Sequence, residues 1–242
     1  QRLLHGTIGS DPYKTEHKLL FKPSKKITVK EVMDVTRTRY ENTKYCLDIP
    51  GNKYIRAIAT ARQEECHILQ IRPDLPQETA CVMWLCLGNA EFAPYLPYYA
   101  SAITETPVIC TLDAPDYSEY SMYWANRSLS TISATNRTLY GNKIKAFYSE
   151  YENALIENMS VLDAQMEKSI TKSHTANILC KNVAYDGFNK SKALYGELIK
   201  FIALYEGEDE TKGNKLQFEL KTKPEIEPIP SYSVSGPTII SN

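Results

Sequence analysis

The first periodic pattern in the chain begins at Thr28, where Thr28-Val29-Lys30-Glu31 has the Ser/Thr-x-x-Glu spacing of a helix-capping box. Val32, Met33, Val35, Thr36 and Tyr40 follow at helical spacing, so the pattern predicts a helix over about residues 28–40. Ile49-Pro50-Gly51-Asn52 then marks a turn. Three β-rich runs come next: Tyr54 to Arg62, Cys66 to Arg72 and Glu78 to Leu87. Their short connections predict an antiparallel meander, with the third run, apolar on both faces, at its centre. Alternation in the first run would put Tyr54, Arg56, Ile58, Thr60 and Arg62 on one face and Ile55, Ala57, Ala59 and Ala61 on the other.

From Gly88 to Pro115 the chain is rich in proline and tyrosine, and it reads as an irregular segment packed by aromatics. The period then changes to 3.6 residues over Ser121 to Thr135, Lys143 to Ile170 and Tyr185 to Tyr205. Strands followed by helices, rather than alternating with them, predict an α+β layered arrangement. Residues 1–26 read as extended or loop, and 207–242, with Pro224, Pro228, Pro230 and Pro237, as a peripheral strand, arm or tail. The organisation expected is thus one domain portion over 1–206 and an arm over 207–242.

Charge narrows the functional classes. Lys plus Arg is 28 against 29 for Asp plus Glu in 242 residues, a balance without the positive excess most nucleic-acid binders need. No window approaches the ~20 consecutive apolar residues of a membrane span. Cys46, Cys66, Cys81, Cys86, Cys110 and Cys180 form no C-x-x-C pair and the four histidines no His-x-x-x-His pattern, so no metal or other cofactor is expected. The cysteines read chiefly as small buried hydrophobes, with one or two disulfides as the alternative. Four Asn-x-Ser/Thr matches are of the number chance gives in a chain rich in Asn and Ser, and three fall on expected helices.

Neither a Gly-x-Ser-x-Gly nucleophile elbow nor a Gly-x-x-x-x-Gly-Lys phosphate loop occurs. His67, mid-run between Cys66 and Ile68, reads as a sheet histidine rather than a catalytic base, for want of a carboxylate partner at telling spacing. Arg56, Arg62 and Arg72 all fall on the expected meander. An arginine on a sheet's inner face must find an anion or carbonyl, so these three are candidates for a substrate-carboxylate clamp or for electrostatic support of a catalytic centre; salt bridges or a solvated edge are the plainer alternatives.

Four stretches, in order and spacing, resemble the C-terminal half of bacterial dipeptidases of the N-terminal-nucleophile (Ntn) hydrolases, relatives of penicillin V acylase and bile-salt hydrolase. They are KKITVKEVMDVTRTRYENT (Lys25 to Thr43), IRAIATARQEECHILQIRPDLP (Ile55 to Pro76), VMWLCLGNAEFAPYLPYYA (Val82 to Ala100) and YSMYWANRSL (Tyr120 to Leu129). The resemblance covers about residues 19–205 and implies an αββα sandwich of two stacked antiparallel sheets between helical layers. It also implies hydrolysis of dipeptide amide bonds by a cysteine at the mature N-terminus, whose own α-amine is the base. An α-amino group has a pKa near ~8, so it can take the thiol proton at working pH without a histidine.

The chain has Gln1 where an initiator Met or the family's nucleophile would stand, so it is expected to be the C-terminal part of the enzyme, inactive alone, with the missing N-terminal segment as its partner. Among its own residues the resemblance implies Arg62 as support of the nucleophile, with Arg56 and Arg72 as second choices and substrate-binding candidates. An amidase acting on acyl amides of the penicillin V or bile-salt type, and a non-catalytic interaction module, are the competing readings. Oligomeric state and compartment are left open by the sequence.

Overall fold

A computed structural model describes residues 20, 22–112, 115–205 and 218–226. The expectations for residues 1–19, and for most of the 207–242 arm, lie outside the described residues.

The capping box at Thr28 forms as the sequence predicts: the Glu31 backbone N–H donates to Thr28 Oγ1, and the Thr28 N–H donates back to the Glu31 carboxylate. It opens α1, Val29–Thr36, which buries Met33 and stops four residues short of the expected end. The chain then turns sharply, with Tyr40 at φ 64° and Asn42 at φ 59° in the left-handed region that side chains other than glycine disfavour.

The sheet has three antiparallel strands in the order β1 (Glu65–Ile71), β2 (Cys81–Leu87), β3 (Leu96–Tyr99). The molecule is therefore α+β with a meander centred on Cys81–Leu87, but the meander's third member differs from the expected one. Residues 54–62 form no strand. They run through turns, with the Ala59 N–H bonded to the Thr38 carbonyl rather than to a ladder. This run offers only alanines to the interior, Ala57 and Ala59 being buried while Ile58 is exposed, so it has no large side chains to cover a sheet face.

Its place is taken by Leu-Pro-Tyr-Tyr, on the other side of β2. Ala100 N–H donates to Cys81 O, which fixes the ladder parity, so Pro97, opposite Trp84, sits where its missing N–H points away from β2. Proline is tolerated at such an edge position. Tyr99 has the same parity, and its N–H is taken by Cys180 Sγ at 3.4 Å.

One turn of helix, α2 (Gln77–Ala80), precedes β2, where the sequence pattern had placed the start of a strand. The remaining helices are α3 (Met122–Ser133), α4 (Asn142–Lys168) and α5 (Lys172–Tyr205), with a π turn at Arg137–Gly141 leading into α4. α5 begins 13 residues before the expected Tyr185, and Ala176, Leu179, Cys180, Val183 and Ala184 continue its buried stripe. Among the described residues no helix is long and apolar enough to cross a membrane.

The core gathers the inner face of the sheet, where Val82, Trp84 and Cys86 are fully buried, with the stripe Ile144, Tyr148, Tyr151, Leu155, Leu162 and Met166 of α4. Phe218 joins it, packing on Tyr140 and Phe201, and the Glu197 carboxylate accepts the backbone N–H groups of Lys221 and Thr222. The six cysteines are all unbridged, Cys86 and Cys180 being buried.

Candidate functional site

The turn from Arg56 to Glu64 is where the four stretches noted in the sequence meet. From the first, Tyr40 donates its hydroxyl to the Arg56 carbonyl at 3.3 Å, and the Thr38 carbonyl holds the Ala59 N–H. From the third, the Ala90 N–H donates to Gln63 Oε1 at 2.9 Å, and the Gly88 N–H to the Glu64 carbonyl at 2.6 Å. From the fourth, Arg127 on α3 donates to the Ala61 carbonyl, while the adjacent Asn126 donates to Leu87 O at 2.7 Å. Every anchor is to backbone or to an uncharged side chain, so the turn is held in shape while the guanidinium groups of Arg56 and Arg62 stay exposed.

Behind this turn lies a buried charge cluster that sequence reading missed. Arg37, 6% exposed, donates Nε to Ala90 O at 2.7 Å and Nη2 to Ala93 O at 2.9 Å, and it meets the fully buried Glu152 of α4 through two nitrogens. The second carboxylate oxygen is shared, since Glu152 Oε1 also accepts the Tyr95 N–H at 2.8 Å. Burial opposes the Arg37 charge, but the Glu152 carboxylate outweighs it and the pKa ends above the ordinary arginine value. Arg37 also stacks over the Tyr95 ring.

A second buried carboxylate, Glu91, receives Arg137 Nε at 3.1 Å and Arg39 Nε at 3.6 Å. Both networks fasten the 88–95 loop to α1's exit and to α4. A signal for Glu152 was present: it falls on the same stripe as Tyr148, Tyr151 and Leu155, where a charge must have a partner.

The three sequence-nominated arginines separate. Arg72 is committed: its guanidinium grips Asp163 of α4 at 2.7 and 3.0 Å and donates to the Thr79 carbonyl, and Asp163 also accepts the Tyr99 hydroxyl. Arg56 and Arg62 make no side-chain ion pair among the described residues. They lie on turns, so the strand alternation that placed them on one face does not exist, and Arg62 rests on the family resemblance. His67 is on the outer face of β1, half exposed, with Nδ1 2.5 Å from Glu65.

An open groove of about 520 Å³ runs between α1 and α4, lined by Glu31, Asp34, Thr38, Glu41, Lys145 and Ser149. Its charges are mutually satisfied: Lys145 pairs with Glu41 at 2.7 Å and Lys30 with Asp34. Burial pushes up the thiols of Cys86 and Cys110, and that of Cys180 to about 12, so these three lack the thiolate character of a nucleophile. No group of three or more His, Cys, Asp or Glu side chains is arranged to hold a metal ion among the described residues.

The outer face of the sheet is the other unusual surface. Register places His67 beside Leu85, Leu69 beside Met83 and Ile71 beside Cys81 on this face, and Leu69 and Ile71 are 58% and 75% exposed. Met83 and Leu85 beside them are partly buried, so the exposed apolar surface of this face centres on Leu69 and Ile71.

An antiparallel sheet backed by helices, with an arginine-bearing turn held by three other stretches of the chain, defines an α+β protein, and comparison with known proteins gives its family. The model of peptidase family C69 matches residues 1–150, and the chain belongs to that family. It is 28% identical over 201 residues to a probable dipeptidase B of Lactococcus lactis, covering 80% of this chain and 42% of the relative. Dipeptidase A of Lactobacillus helveticus is 30% identical over 147 residues, 58% of this chain and 30% of the relative. A probable dipeptidase A of Streptococcus pyogenes serotype M3 is 27% identical over 229 residues, 90% of this chain and 44% of the relative. The chain thus spans less than half the length of these relatives.

Proposed function

We propose that this chain is the C-terminal part of a cysteine dipeptidase that hydrolyses dipeptide amide bonds, its nucleophile an amino-terminal cysteine on a segment upstream. The observation that carries this reading is the meeting of the four family stretches at the Arg56–Glu64 turn, beside a sheet whose outer face leaves Leu69 and Ile71 exposed. A second sheet stacked on Leu69, Ile71, Met83 and Leu85 would complete an αββα sandwich and bring an upstream strand to the turn. The relatives named dipeptidase, each more than twice the length of the matched stretch, support both the activity and the larger domain.

The division of labour follows from the charges. The α-amine of the terminal cysteine takes the thiol proton, and the thiolate attacks the peptide carbonyl. Arg62, with an exposed guanidinium on a clamped turn, is positioned to support that thiolate or the substrate carboxylate, and Arg56 is the neighbouring candidate for substrate binding. Arg72 is the weakest of the three, because Asp163 and Thr79 already occupy its donors.

The test uses the full-length protein. Mass spectrometry of its mature N-terminus should find a cysteine, and Cys→Ser there should abolish turnover of dipeptides assayed side by side with acyl amides. Arg62→Lys keeps the charge but loses the planar fork, and should lower kcat/KM at least tenfold with little change in Tm. Preference for acyl amides would assign the amidase reading, and a full-length protein without a terminal cysteine would leave an interaction module.

A further inference from the structure

We infer that Cys66 and Cys86 form a reversible cross-strand redox pair, joined as a disulfide when the protein meets a small disulfide oxidant such as oxidised glutathione. The two residues are directly opposed in the β1–β2 ladder. Their side chains lie on the inner face, Cys66 partly exposed and Cys86 fully buried, and both thiols are free. Both lie against one loop: the Cys86 thiol donates to Ala93 O at 3.7 Å, and the nearby Tyr95 hydroxyl hydrogen-bonds Thr36 Oγ1 at 2.6 Å.

Ladder parity sets the geometry. The bonds Arg72 N–H to Ala80 O and Gly88 N–H to Glu64 O make every even-numbered position of β1 a hydrogen-bonded pair, Cys66–Cys86 included. In such pairs the Cα atoms stand about 5.5 Å apart, inside the ~4.4–6.8 Å that disulfides span. The Cβ atoms fall toward the wide end of about 4.5–5.5 Å, against about 3.5–4.5 Å in a disulfide. Closing the bond therefore draws the strands together by roughly 1 Å, and the resulting strain makes it easy to reduce. That is the property of a switch rather than of a permanent staple. No other thiol shares this arrangement on the sheet, since Cys81 points to the outer face opposite Ile71.

The chemistry balances in two exchanges. The Cys66 thiol, the more accessible, loses its proton and its sulfur attacks one sulfur of the oxidant; the S–S bond breaks, one thiolate leaves and takes up a proton, and Cys66 is left as a mixed disulfide. The Cys86 thiol then gives up its proton and attacks the Cys66 sulfur, expelling the second thiol. Overall two protein thiols are oxidised to one disulfide while one small disulfide is reduced to two thiols. Burial holds Cys86 protonated, so the second exchange is the slow one. Oxidation also removes the Cys86–Ala93 bond, and Ala93 belongs to the loop that Arg37 and Glu152 hold, so the redox state reaches the buried charge cluster.

The experiment equilibrates the full-length protein in reduced and oxidised glutathione mixtures, blocks free thiols by alkylation and cleaves after glutamate. Cleavage places Cys66 in the peptide 66–78 and Cys86, with Cys81, in 79–91. The expected product is these two peptides linked, reverting at low dithiothreitol, retained in Cys81→Ser and lost in Cys66→Ser. A Cys66–glutathione adduct that never resolves, a link that disappears in Cys81→Ser, or both thiols still free under oxidising mixtures would overturn the inference. Fragmentation of the linked wild-type peptides, which tells Cys81 from Cys86, decides even where a variant folds poorly.

Discussion

Arg37 and Glu152 stand where hydrophobic side chains could stand, and that substitution is the sharpest residue-level test of what they do. Removing one partner leaves the other charge buried, which costs about 3–5 kcal/mol. Arg37→Met or Glu152→Gln should therefore lower unfolding free energy by that order in denaturant titrations, whereas Arg37→Met with Glu152→Leu should recover a large part of it. Equal or additive losses would show that the pair is not the source. Glu41 offers a pH test. Burial acts against its carboxylate, but the Lys145 ammonium and the Arg39 N–H together hold its pKa below the ordinary glutamate value. A carboxyl depressed on folding stabilises above its unfolded pKa, and that contribution disappears as pH falls through the folded value. Wild type should thus exceed Glu41→Gln in stability at neutral pH, and the two should converge only in acid below the usual glutamate range. The capping role of Thr28 and Glu31 was legible because it is a local spacing. The Arg37–Glu152 pair was not, because its partners are 115 residues apart and only the fold brings them together.

At the scale of elements, residues 54–62 and 96–99 exchanged the roles their composition suggested. A strand needs large side chains on at least one face, and Ala57, Ala59 and Ala61 supply none, whereas Leu96, Tyr98 and Tyr99 do despite the proline between them. The helices were legible because 3.6-residue stripes such as Ile144, Phe147, Tyr151 and Leu155 are long enough to average over exceptions. Gly88, which ends β2, holds the element boundary: its φ is 107°, and an added Cβ would stand 3.2 Å from Asn126 Cβ. Gly88→Ala should destabilise by at least ~1–2 kcal/mol, the cost of a left-handed backbone for a residue with a Cβ, read as a lowered Tm. An unchanged Tm would mean that the turn into the Asn89–Ala93 loop relaxes without consequence.

For the molecule as a whole, the outer sheet face carries the prediction. Leu69 and Ile71 are exposed here, and in the isolated chain Leu69→Lys or Ile71→Lys should change stability little, within about 0.5 kcal/mol, as surface substitutions do. In the full-length protein the same changes should be severe if a second layer covers this face, since each would bury an unpaired ammonium. Comparing the two stability changes checks the sandwich directly, and equal mild effects in both would remove it. Sequence reading reached the α+β class and the family, because strand runs, helical stripes and motif order are written along the chain. Which surface stays uncovered depends on register, which places Leu69 and Ile71 on the same side as Met83 and Leu85.

The proline of β3 also gives the sheet a direction. On that side Pro97 has no N–H to offer, the Tyr99 N–H is bonded to Cys180, the Tyr99 carbonyl accepts from Ala102 and Ile103, and the Tyr95 N–H is bonded to Glu152. On the far side of β1, residues Glu65, His67, Leu69 and Ile71 turn their backbone groups outward with no partner among the described residues. Among the described residues the sheet is thus closed at one end and open at the other. Any strand contributed by the rest of the protein, or by an aggregating neighbour, can join beside β1 alone, so growth of this sheet is one-sided.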